Sequence, residues 1–185
     1  MTEPARVGAS TSFPVEIGVI KQHLAIDDDD RDELLQLYLA AAVEKIEVLS
    51  GRAISASDWR WSLDGFASGD IVLPFGPAVS GVEISYFDAD DALQTLSSDT
   101  YQVDLSQIET RLRPLNEWPM VSDRLASVTV TWSAAAETCP PTLKQAVLML
   151  VDYWFANRNG TAGGVDADIP KAVRELVATV RRFRG

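Results

Sequence analysis

The sequence predicts an α+β protein: a mainly α-helical core of about four helices, with an inserted small antiparallel β-sheet or sandwich. Three observations predict it. Apolar residues recur at helical spacing in residues 31–50, and helical patterns return after residue 140. Between about 56 and 133 they give way to short alternating runs separated by turns. Proline and glycine mark the changes from one pattern to the other.

Residues 1–13 have no periodicity and predict a flexible N-terminal arm. A short helix follows over about 16–24, weakened by Gly18. In the long helix, about 31–50, Leu35, Leu39, Ala42, Ile46 and Leu49 line one face. Leu34, Leu37, Ala41 and Val48 widen that face beyond what one neighbour needs, so the helix is expected to touch more than one. Glu33, Gln36, Glu44 and Glu47 are assigned to the solvated side, and Gly51 to a left-handed C-terminal cap.

The β region comprises "WRWSL", "IVLP", "VEISYF", "LQTL", "YQVDL", "TRLRP" and "SVTVTW", with "DADD" (88–91) as a hairpin-type turn. Pro74, Pro77, Pro114 and Pro119 stand at strand ends, where a missing N–H does little harm. Pro140-Pro141 opens a third helix, 142–158, which is apolar nearly all round. It is either the middle of the monomer core or a helix whose Leu148 and Phe155 face another subunit. "NGTAGG" (159–164) is a linker, and Asp168-x-Pro170 starts a final helix with Val173, Leu176, Val177, Val180 and Phe183 as its stripe. The domains so read are the arm 1–13, a helical core 14–158 with its β insertion at about 56–133, and a linker with C-terminal helix, 159–185.

A hydrophobic content of 46% supports a real core, and 23% charged residues is ordinary for a globular chain. The net charge of −11 gives no general surface for gripping nucleic acid. Residues 171–185 run the other way, with Lys171, Arg174, Arg181, Arg182 and Arg184 against the single acid Glu175. No apolar run reaches membrane-spanning length, and no signal sequence opens the chain.

Catalytic, metal and cofactor sites are not expected. Cys139 is the single cysteine, which excludes an internal disulfide and a cysteine metal cluster, and it reads as a small packed residue. His23, the only histidine, has no nucleophile motif around it. Asp88-x-Asp90-Asp91 begins like a calcium loop but has Leu93 where glycine is needed and Asp99 at the twelfth position. The "NGTAGG" segment lacks both the preceding strand and the following Lys-Ser/Thr of a phosphate loop. Asp27–Asp30 cannot all converge on one ion. They read as a helix start, with Asp28 or Asp30 capping and Asp32 and Glu33 complementing the dipole.

The order of these segments resembles the head–tail connector proteins (neck adaptor, head completion) of long-tailed phages and gene transfer agents. "IKQHLAIDDDDRDELLQLYLAAAVEKIEVLSGRAI" (20–54) and "PPTLKQAVLMLVDYWFANR" (140–158) carry the resemblance, with "YQVDL" and "NEWP" (116–119) as weaker matches. The chain departs from that family at "WSAAAETCP", where a glycine turn is common, and in its short C-terminal arm. The resemblance implies a structural virion protein, not an enzyme, forming a ring of typically twelve subunits below the portal protein. The ring extends the DNA channel without sequence-specific binding and offers a docking surface to the next neck or tail protein, a stopper or tail terminator. Made in the bacterial cytoplasm, it would end in the neck of a virion or virus-like particle, with no membrane partner.

Under that resemblance Leu34, Leu37, Ala41, Val48, Leu148 and Phe155 become candidates for the subunit interface. Arg174, Arg181, Arg182, Phe183 and Arg184 become candidates for portal contact, an apolar anchor among cations. Loops 64–70 and 87–93 are candidates for meeting the next tail protein. A competing class is a DNA-binding packaging factor of small-terminase type. It would need a basic recognition helix, and the only basic helix is the last, with its charges crowded at one end.

Overall fold

The structure, a computed structural model, describes residues 3–76, 80–105, 110–134, 139–157 and 169–180. In chain order its elements are β1 (Ala5–Ser12), α1 (Ile17–Leu24), α2 (Asp32–Ser50), β2 (Ala56–Leu63), β3 (Ile71–Leu73), β4 (Ser80–Phe87), β5 (Leu93–Thr95), β6 (Tyr101–Asp104), β7 (Thr110–Pro114), β8 (Val128–Ala134), α3 (Pro141–Ala156) and α4 (Lys171–Val180). The chain divides into two compact units. One combines Met1–Thr11 with Ala56–Ala135, and the other combines Ser12–Ser55 with Ala136–Gly185.

This corrects the expected architecture. Among the described residues the class is α+β with four α-helices, but the β part is not a small insertion in a mainly helical core. Eight strands among the described residues build a five-stranded sheet, in the order β1-β2-β8-β4-β5, and a three-stranded sheet, β3-β7-β6. One of these strands comes from the N-terminal segment predicted as a loose arm: residues 5–12 form the edge strand β1 beside β2. Its mixed sequence, ARVGASTS, leaves no alternating apolar signal, and pairing with β2 supplies the backbone partners that the sequence pattern does not announce.

In the β unit, β8 is the central strand, and its burial alternates along its whole length. Val128, Val130 and Trp132 point inward, and β8 pairs antiparallel with β2 on one side and β4 on the other. Trp132 faces Trp59 across the ladder, Trp59 stacks on Phe75 at 4.3 Å between ring centroids, and the Arg6 guanidinium lies 5.3 Å from the Trp59 ring centroid. Gly81 takes φ +65° where the β4–β8 register shifts, and a Cβ there would meet Ser133 Oγ at 3.2 Å. Both constraints favour glycine at this bulge.

In the helical unit, the apolar periodicity of the sequence is realised. Leu35, Leu39, Ala42, Val43 and Ile46 of α2 pack with Leu143, Ala146, Val147, Leu150 and Val151 of α3 and with Val173 and Val177 of α4. Full burial of each large aliphatic side chain contributes about 1.5–3 kcal/mol, which is what holds these helices together. Leu148 and Phe155 are half-buried against the same core, and the Arg31 guanidinium lies 5.9 Å from the Phe155 ring.

The aspartate run does not cap α2 with a side chain: the N-cap is Arg31. Asp28 accepts instead from the Asp30 N–H at 3.2 Å, an Asx-type turn, and Lys21 of α1 pairs with Asp29 and, at 3.0 Å, with Asp32. Asp32 and Glu33 do occupy the first turn of the helix, where its dipole favours them.

At the other end of α2, Glu47 is buried, contrary to its assignment to the solvated side. Its carboxylate Oε1 accepts from Ile54 N–H at 2.8 Å, Ser55 N–H at 3.1 Å and Ser55 Oγ at 2.9 Å. Its carbonyl accepts from Gly51 N–H at 2.8 Å, with Gly51 in the left-handed cap predicted for it (φ 68°). Replacing Glu47 by leucine removes the acceptor and leaves two buried N–H groups unsatisfied. We expect a loss of roughly 3 kcal/mol in urea unfolding, and a smaller loss for Glu47→Gln, whose amide oxygen still accepts. A Glu47→Leu protein as stable as wild type would contradict this role.

Candidate functional site

The residues that carry reactive chemistry are not gathered. Among the described residues there is no group of three or more His, Cys, Asp or Glu side chains able to hold a metal. Cys139 is buried, and burial pushes its thiol up to about 11 against the weaker pull of Lys144 and Arg52. A thiol so placed is protonated at neutral pH and a poor nucleophile. His23 lies exposed on α1.

What the structure does gather is exposed apolar surface on packed elements. On α2, Leu37 and Val48 are each 64% exposed, and Ala41 is exposed between them. With Lys45 they form one ridge at steps of four, four and three, the spacing of a single helix face. Leu34 is half-buried beside it. The ridge ends at a cleft of about 410 Å³ lined by Lys45, Val48 and Leu49 of α2, by Ile169, and by Arg174, Val177 and Ala178 of α4. Of the portal candidates, Arg174 is thus an exposed residue of α4 at this cleft, while Arg181, Arg182, Phe183 and Arg184 lie outside the described residues.

A second surface lies in the β unit and was only partly visible in the sequence. The 64–70 and 87–93 loops are both tied to the segment 115–126. Trp118 stacks on Phe66 at 4.8 Å and donates its indole N–H to the Gly69 carbonyl at 2.8 Å. Ser122 and Arg124 both reach Asp91, and the Arg124 guanidinium lies 3.9 Å from the Phe87 ring centroid. The segment carries Met120 and Leu125, 81% and 83% exposed. "NEWP" marked the segment, but no periodicity tells where the exposed Met120 and Leu125 fall, because the segment is neither helix nor strand.

Carboxylates clamp these loops. Asp64 accepts from Ala126 N–H at 3.0 Å, and Asp70 takes a two-pronged bond from Arg113 at 2.8 and 2.7 Å. Asp88 accepts from the N–H groups of Asp90 and Ala92, both at 3.0 Å, and from Gln94 at 2.8 Å. Each of the three is held below its ordinary acidity range: Asp64 chiefly by the Ala126 N–H, Asp70 by Arg113, Asp88 by the Ala92 N–H.

Large apolar side chains thus stand in solvent in both units: Leu37 and Val48 on α2, and Met120 and Leu125 in the 115–126 segment. The chain belongs to the head completion protein family, whose model matches residues 16–183. No curated protein matches it in sequence. Its fold is similar to a chain in the neck of an empty gene transfer agent particle computed with C6 symmetry, at TM-score 0.81 and 20% identity, covering 100% of this chain and 97% of that one. A chain of the native gene transfer agent virion aligns at TM-score 0.80 and 20% identity, with the same coverage. A chain of the native particle's neck computed with C12 symmetry aligns at TM-score 0.77 and 21% identity, again covering 100% and 97%.

The loop clamps predict an acid dependence. A carboxylate whose folded pKa lies below its unfolded value stabilises fully above that unfolded value, and the contribution is lost as pH falls through the folded one. With an ordinary value of 3.8 for Asp88, the loss begins below that pH. Thermal melts should therefore show Asp88→Asn less stable than wild type at pH 7, with the gap closing below pH 3.8. A gap that stays constant down to about pH 2 would rule the clamp out.

Proposed function

We propose that this chain is an adaptor subunit of a particle neck, a head–tail connector that joins copies of itself into a ring under the portal. The ring, of twelve subunits, extends the DNA channel and offers its free end to the next neck or tail protein. One observation carries the reading: the fold matches neck chains of symmetric gene transfer agent particles over the whole of this chain. Membership in the head completion family and the exposed ridge on α2 support it. The particle is a phage or a gene transfer agent, and the protein works in its neck.

The physical logic is lateral burial. Leu34, Leu37, Ala41 and Val48 of α2, and the outward parts of Leu148 and Phe155, are the surfaces a neighbour would cover. The C-terminal segment with Arg181, Arg182, Phe183 and Arg184 is the portal-facing element, an aromatic anchor among cations for an acidic groove. The 64–70, 87–93 and 115–126 loops, with Met120 and Leu125, are the docking surface for the next neck protein. With a net charge of −11, the assembled wall repels phosphates, so DNA slides through rather than sticking.

Native mass measurement of the protein alone and with portal tests the reading. The expected result is a ring-sized assembly, alone or on the portal, with no salt-sensitive duplex DNA binding. A protein that stays monomeric under both conditions, or that grips duplex DNA tightly, would overturn it. Deleting residues 181–185 should weaken portal binding, and undiminished binding would remove the C-terminal segment from the portal contact.

A further inference from the structure

The cleft between α2 and α4 joins an apolar floor to two cations. Val48, Leu49, Ile169 and Val177 form the floor, and Lys45 and Arg174 stand at its lining from different helices. On a chain of net charge −11 this is a local reversal of sign, and it continues the exposed Leu37–Ala41–Val48 ridge. At the opposite end of the same helix lies the reverse pattern. Asp27, Asp28 and Asp30 are exposed beside Ile26, which packs on its own helical core and leaves only part of its side chain outward, while Lys21 already engages Asp29 and Asp32.

The two patches are complementary, yet α2 keeps them apart within one copy. From Asp32 to Lys45 the helix rises about 20 Å, at 1.5 Å per residue. That is more than twice the screening length of about 8 Å at physiological salt. Within one copy, therefore, the two patches do not reach each other.

We infer that the α2–α4 cleft is the acceptor for the Ile26–Asp30 corner of a second copy of this chain. Asp27, Asp28 and Asp30 of the incoming copy would face Lys45 and Arg174, and its Ile26 would meet the apolar floor beside Val48. In the ring proposed above the contact runs head-to-tail, each copy giving its Ile26–Asp30 corner to one neighbour and its cleft to the other. A contact of that kind propagates around a ring instead of stopping at a pair. The inference rests on the ring reading above and names its subunit boundary, and it assigns Arg174 to the neighbouring copy, not to the portal.

The test is a charge exchange between two full-length proteins. One carries Lys45→Glu and Arg174→Glu, the other Asp27→Lys, Asp28→Lys and Asp30→Lys; all five side chains are surface-accessible, and circular dichroism verifies the fold of each. Alone, each variant places like charges across the boundary, so the concentration for half-assembly, measured by native mass spectrometry with portal present, should rise roughly tenfold or more. Mixed in equal amounts, the two should recover full-size assemblies containing both proteins in alternation. Assembly of either variant alone at wild-type concentrations would overturn the inference, as would a folded pair that fails to recover on mixing. Normal assembly with loss of portal binding in Lys45→Glu/Arg174→Glu would give the cleft a different occupant and overturn it equally. A wild type that never assembles contradicts the ring itself, which separates the two failures.

Discussion

The exit from α2 is governed by one buried carboxylate. Glu47 sits at the negative end of a helix dipole, a place that disfavours a carboxylate, and it is kept there by three hydrogen bonds from Ile54 and Ser55. The bonds fix the turn 51–55, seat Ile54 in the helical core and deliver the chain to β2 at Ala56. Ser50 adds to the same turn by accepting the Arg52 N–H at 3.3 Å. Loosen this turn and the end of α2 loses its anchor. Everything proposed for the outer face of α2, from Leu37 to Val48, presumes a helix held rigid to its last turn.

That rigidity sets how the protein can serve an assembly. The helical unit buries one face of α2 against α3 and α4 and leaves the other face outward. The β unit uses its aspartates differently, as clamps that hold the 64–70 and 87–93 loops against the 115–126 segment. Both devices use polar groups to fix backbone, while the apolar ridge and Met120 and Leu125 stay in solvent. The family assignment and the fold shared with neck chains give those surfaces a setting.

Much of the fold was legible because periodicity is a strong signal where one face is buried. The stripe from Leu35 to Ile46, the alternation in "SVTVTW" and the cap at Gly51 all lie where the sequence places them. Two things were not. β1 has a mixed sequence, ARVGASTS, whose strand character comes from pairing with β2, so the weight of the β part was underestimated. Glu47 sits four residues after Val43 and three before Ser50, within the buried stripe, but its chemical type reads as solvent-facing. Only the donors of the following turn explain it, and a helical wheel does not see a turn. The excess width of the apolar arc singled out Leu37, Ala41 and Val48, which the structure leaves exposed on α2. The sequence could not show the cleft they lead to, because Lys45 and Arg174 are brought together by tertiary packing across more than a hundred residues.

The most direct test of the account is hydrogen exchange at the Ile54 and Ser55 amides. If Glu47 holds the turn as described, both amides exchange as slowly as the buried centres of α2 and α3, opening only with the helical unit. Fast exchange at these two positions in a protein whose helices remain protected would show that the turn is not held, and would contradict the account at its base.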